Sequence, residues 1–129
     1  MTGSTRDTVT AASAPAAVGP YSHAVRTDSL VFLSGQSPLD PVTGSLVDGD
    51  TAVQTERVFA NLGAVLDAAG LSFDDVVKVN VFLTDWGDFA AMNHVYQQVF
   101  THPYPARTTI GVAGLPLGAS VEIELIAQA

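Results

Sequence analysis

The sequence predicts a two-layer α+β sandwich, with two helices packed against one mixed β-sheet. Two segments carry apolar residues at helical spacing. Short runs with strand-like alternation stand before, between and after them. The 129-residue length fits one domain.

Residues 1–14 are rich in Thr, Ser and Ala without a period, and read as a flexible arm that pairs late, if at all, as an edge strand. The single domain is expected over 15–129. Tyr21–Arg26 and the apolar Leu30–Ser34 read as a hairpin across Thr27-Asp28-Ser29. Pro38, Pro41, Gly44 and Gly49 make residues 35–49 mostly loop. Thr51 to Ala69 is the clearest helix. Thr51-x-x-Gln54 resembles a capping box, Gly70 stands where a left-handed C′ residue belongs, and Val58, Phe59, Leu62, Val65, Leu66 and Ala69 form one face. Val76–Leu83 sets Val77, Val79, Val81 and Leu83 against Lys78 and Asn80, a strand period. About Trp86–Phe100, a second helix aligns Phe89, Met92, Tyr96, Val99 and Phe100 and stops at His102-Pro103. Final strands are expected at about Arg107–Ala113 and Ser120–Ala127, joined through Gly114-Leu115-Pro116-Leu117-Gly118. The order is ββ(β)αβαββ.

The hydrophobic fraction of 47% supports a core, whereas the charged fraction of 14% lies far below the roughly 25% usual for a soluble domain. With a mean hydropathy of +0.30, that balance points to a homo-oligomer hiding part of its surface. The net charge is −8 and the five cations are dispersed, so neither nucleic acid nor an anionic membrane is an expected partner. Without cysteine there is no disulfide or thiolate chemistry. No signal-peptide pattern or long apolar run appears, and the expected location is the cytoplasm. His23, His94 and His102 lack metal-ligand spacing, so no metal site is expected.

Beyond Asp88 the formally charged residues are Arg107, Glu122 and Glu124. Strand periodicity puts Glu122 and Glu124 on one face and Arg107 with Thr109 on one face. Pairing of the last two strands across the Pro116-Leu117 turn would bring these faces to the same side. That group reads equally as a reactive cluster or as a plain surface salt bridge. Asn93 leans towards the apolar stripe between Phe89 and Tyr96, either as a functional amide or as one satisfied by nearby backbone. Tyr21, after Gly19-Pro20, reads as a presented phenol or a rim aromatic. Ser34-Gly35 closes an apolar strand with a glycine that lets backbone approach a ligand, or simply ends the strand.

Gly19-Pro20-Tyr21-Ser22, Ser34-Gly35-Gln36, Pro105-Ala106-Arg107, Leu115-Pro116 and Val121-Glu122-Ile123-Glu124, with Asp88-Phe89 and Asn93 among them, follow one order. In that order and near that spacing the chain resembles the Rid (YjgF-like) family of reactive-intermediate deaminases, over roughly residues 13–128. The resemblance implies a chorismate-mutase-like fold, a homotrimer with ligand clefts between subunits, and no cofactor. It implies RidA-type hydrolysis of 2-imino acids and their enamines, such as 2-aminoacrylate or 2-iminobutyrate, to 2-keto acids and ammonia. Arg107 matches the carboxylate-binding arginine and Glu122 the residue that holds or activates water. Tyr21, Ser34, Gly35, Asn93 and Thr109 would line the cleft around a small carboxylate-bearing imine or keto acid. The chain departs from the pattern at His23, where many members carry glutamine, and at Thr109, often cysteine or another small residue. A deaminase dedicated to one pathway and a non-catalytic or regulatory carboxylate-binding trimer are the alternatives. A ribonuclease fits less well, given the scattered cations and the lack of a histidine pair.

Overall fold

The computed structural model describes residues 6–129. Its strands are β1 (Arg6–Val9), β2 (Ala24–Thr27), β3 (Leu30–Gln36), β4 (Val76–Leu83), β5 (Ala106–Gly111) and β6 (Val121–Gln128). They form one sheet in the order β1-β2-β3-β6-β4-β5. Among the described residues only β4 and β5 pair in parallel, as the helical crossover between them requires. The helices α1 (Thr51–Ala68) and α2 (Phe89–Val99) pack on one face, as the expected two-layer sandwich requires.

The core lies between these layers. Val31 and Leu33 of β3, Val79, Val81 and Leu83 of β4, and Val121, Ile123 and Leu125 of β6 meet Val58, Leu62, Val65 and Leu66 of α1 and Met92 of α2. The alternation expected for β4 fails at one residue. A register shift between Val76 and Lys78 takes Val77 out of the buried series and leaves it 41% exposed.

Helix α1 starts differently from the expected capping box. Its N-cap is Asp50, whose carboxylate accepts the Val53 N–H at 3.1 Å. Thr51 and Gln54 are occupied elsewhere. The Thr51 hydroxyl lies 2.8 Å from that of Ser120, and Gln54 Oε1 accepts both the N–H and the hydroxyl of Ser120 at 2.9 Å. These bonds fasten the first turn of α1 to the start of β6. At the other end Gly70 takes the expected left-handed backbone, φ 76°. A 3-10 turn, Trp86–Asp88, leads into α2, which stops at Val99, within the expected 86–100 segment.

Of the expected N-terminal arm, residues 1–5 lie outside the described residues. Arg6–Val9 pairs antiparallel with β2 as an edge strand, and Ala11 and Ala14 join the core. A buried histidine fixes this segment. The Ala11 N–H donates to His23 Nδ1 at 2.9 Å, so the ring proton sits on Nε2 and donates to the Pro15 carbonyl at 2.8 Å. His23→Leu strands both backbone groups in a buried place. The expected loss is about 1–3 kcal/mol, read as a lower urea midpoint at unchanged m-value. His23→Gln, which retains one acceptor and one donor, should recover part of it.

Among the described residues, the second face of the sheet carries no helix. Phe32 and Ile110 remain 42% and 44% exposed there, beside Lys78, Asn80, Glu122 and Glu124. Among the described residues no helix is long and apolar enough to cross a membrane.

Candidate functional site

Arg107 lies on the edge strand β5, in register with Val79 of β4, which is in register with Leu125 of β6. Both neighbours are buried under the helices, so the arginine projects to the helical side of the sheet. There α2 receives it. Arg107 Nη1 donates to Asn93 Oδ1 at 2.7 Å, and Cζ stands 4.5 Å from the Tyr96 ring centroid and 5.5 Å from that of Phe89. Its Nε and Nη2 donate to no atom among the described residues. Asn93, Tyr96, Gln97, Tyr104, Pro105 and Arg107 line a cavity of about 460 Å³. Burial pushes the Tyr96 phenol above its ordinary pKa, while the Arg107 charge pulls it part of the way back. Thr109 follows two residues along the same face, with its hydroxyl buried and unpaired among the described residues.

Glu122 belongs to a second cluster. In register with Phe82, it stands on the helix-free face. Its Oε1 accepts from the Ser37 hydroxyl at 3.3 Å. A Cβ built on Gly35 would lie 2.8 Å from Glu122 Oε2, so glycine at that position is what lets the carboxylate rest against the β3 backbone. The Ser34 hydroxyl donates to the Ser22 carbonyl at 2.6 Å, and the Ser34 N–H to the His23 carbonyl at 3.0 Å. These bonds join the end of β3 to the segment carrying Tyr21, whose ring is 49% exposed beside Gly19. Glu124 is held by the Asn80 amide at 3.0 Å.

The structure therefore brings Arg107 together with Asn93, and Glu122 together with Gly35 and Ser37, in two places, while the Ser34 side chain is turned to the Ser22 carbonyl. The expectation of a cation and two carboxylates on one side of the sheet does not hold. It rested on pairing between the last two strands, but β4 lies between β5 and β6, pairing parallel with one and antiparallel with the other. Its registers put Arg107 and Glu122 on opposite faces. The surface salt-bridge alternative fails with it, since Arg107 bonds an amide on α2.

The aromatic cradle of Arg107 escaped the sequence reading. Phe89 and Tyr96 flank Asn93 at four and three residues, a pattern indistinguishable from an ordinary core stripe until a strand brings the arginine beneath it. Ser37 carried no signal at all.

The Endoribonuclease L-PSP family profile matches residues 11–129. Protein DfrA of Myxococcus xanthus is 55% identical over 116 residues, covering 88% of each chain. A 2-iminobutanoate/2-iminopropanoate deaminase of Bos taurus is 46% identical over 98% of this chain and 93% of its own. The crystal structure of E. coli TdcF with bound serine superposes with a TM-score of 0.90 at 42% identity, covering 95% of this chain and 98% of that one.

Proposed function

Because the chain belongs to the Endoribonuclease L-PSP family, the Rid family of its sequence resemblance, we propose that it deaminates 2-imino acids and their enamine tautomers by hydrolysis. The observation that carries this reading is the Arg107 guanidinium, held by Asn93 and two aromatic rings with Nε and Nη2 unbonded beside a cavity. That free edge suits a carboxylate, which accepts two parallel charge-assisted hydrogen bonds from it. An α-amino acid bound to a relative, serine in E. coli TdcF, carries the same group.

In the proposed reaction, water adds to the imine carbon, its oxygen bonding to C2 as the C=N pair moves to nitrogen. The nitrogen is protonated, and as the new hydroxyl gives up its proton and its oxygen closes to C=O the C–N bond breaks, releasing ammonia and leaving the 2-keto acid. Arg107 fixes the carboxylate, and with it the position of C2. Glu122 holds the water and accepts its proton. Most of the remaining acceleration is positional, because the imine is already electrophilic. None of these steps calls for a cofactor.

Arg107 and Glu122 of one chain face away from each other across the sheet, so the reading includes assembly. The Arg107–Asn93 half of the site in one copy meets the Glu122–Gly35 half of another, in a homotrimer with sites between subunits. The exposed Phe32 and Ile110, on the same face of the sheet as Glu122, support a contact on that face. A net charge of −8 with dispersed cations disfavours RNA as the substrate.

The test is to add the protein at micromolar concentration to a threonine dehydratase reaction and to trap the remaining imine with semicarbazide. Faster loss of 2-iminobutanoate than in buffer is expected, and equal loss would sink the reading. Gly35→Ala supplies a local check. The three atoms nearest the new methyl all belong to the movable Glu122 side chain, so stability should stay within about 0.5 kcal/mol while the displaced carboxylate lowers kcat about tenfold or more.

A further inference from the structure

Phe89, Asn93 and Tyr96 project from one side of α2, and each meets the Arg107 guanidinium differently. Asn93 takes one hydrogen bond from Nη1, a single contact about which the planar group can still rotate. The aromatic faces limit that rotation. Phe89 stands 5.5 Å from Cζ and is itself stacked on Trp86, with ring centroids 5.2 Å apart. Tyr96 is nearer, at 4.5 Å, and is only 5% exposed. Its ring is fixed from behind by edge contact with Phe59 at 6.1 Å and by Phe100 at 4.7 Å. The Tyr96 hydroxyl is buried and has no hydrogen-bond partner among the described residues. A phenol retained for acid–base work or for binding through oxygen would have a partner or access to solvent; this one offers Arg107 its ring.

We infer that Tyr96 is a positioning residue whose buried ring face sets the plane of the Arg107 guanidinium, keeping the Nε–Nη2 edge free for a substrate carboxylate. The inference rests on the proposed role of Arg107 and assigns Tyr96 no contact with the reacting atoms. The aromatic surface matters and the hydroxyl does not. That separates it from an acid–base role, for which the order of variants would be reversed.

The experiment compares Tyr96→Phe with Tyr96→Leu in the full chain. Calorimetry with 2-oxobutanoate measures carboxylate binding, and imine turnover supplies KM and kcat. Tyr96→Phe is expected within about twofold of the parent throughout. Tyr96→Leu should weaken 2-oxobutanoate about tenfold and raise KM by a similar factor, with kcat within about threefold, because a loosened fork weakens ground-state and transition-state binding alike. A loss in Tyr96→Phe equal to that in Tyr96→Leu, or parental affinity in Tyr96→Leu, overturns the inference.

A spectroscopic arm needs neither turnover nor a stable leucine variant. In the unsubstituted protein the Arg107 Nε–H proton signal, assigned by its disappearance in Arg107→Lys, should be shifted upfield by the ring faces. An unshifted signal there also overturns the inference. If the parent protein fails to hydrolyse imines, the deaminase reading falls, while the binding arm still decides the role of Tyr96.

Discussion

Arg107→Ala is expected to reduce kcat/KM for 2-iminobutanoate by about 10²–10⁴-fold, with a matching loss of 2-oxobutanoate affinity. The size follows from two hydrogen bonds to a charged group at roughly 1.5–3 kcal/mol each. Arg107→Lys should recover little. An ammonium is a point charge that cannot form the planar fork, and it lacks the flat face that Tyr96 and Phe89 hold. Stability should barely respond, because Arg107 is exposed and bonded to the protein through one amide. Steady-state kinetics, 2-oxobutanoate calorimetry and urea denaturation on the same preparations check all three statements. Retained binding in Arg107→Ala would place the carboxylate elsewhere. A large fall in stability would instead make Arg107 a structural residue.

The fold was legible where local pattern and tertiary packing agree. The face of α1, that of β4 from Val79 onward and the left-handed Gly70 follow from helical spacing, strand alternation and one glycine, each a property of neighbouring residues. Strand order is different, because it depends on which non-local pairing wins. The short connection through Pro116 and Leu117 suggests a hairpin, yet β6 inserts between β3 and β4, and β5 reaches its place through the α2 crossover. That insertion decides the site. Arg107 and Glu122 were both recognisable as unusual charges, and the motifs around them resembled one family, but the sheet lying between them became visible only with the registers. Capping shows the same limit on a smaller scale. Thr51 and Gln54 have the right side chains for a box, but Ser120, distant in sequence, engages both and leaves the cap to Asp50.

Glu122→Gln tests the other half of the proposed site. Glutamine keeps the size of the side chain beside Gly35 and an oxygen for Ser37, while removing the negative charge that accepts a proton from water. Loss of a positioned general base should lower kcat by about 10²–10⁴-fold. KM and 2-oxobutanoate affinity should remain near parental values, since the carboxylate grip belongs to Arg107. The two defects can then be combined across chains. In a cyclic trimer with sites between subunits, a site joining an intact Arg107 from one copy to an intact Glu122 from the next needs neither substitution. Arg107→Ala and Glu122→Gln chains, co-expressed with different tags and purified through both, should therefore regain activity that neither has alone. Every mixed trimer that passes both purifications restores one site in three. If both groups served one site within a chain, every site would carry one of the two defects, and the mixed assembly would stay as inactive as its parents. The opposite faces occupied by Arg107 and Glu122 favour restoration.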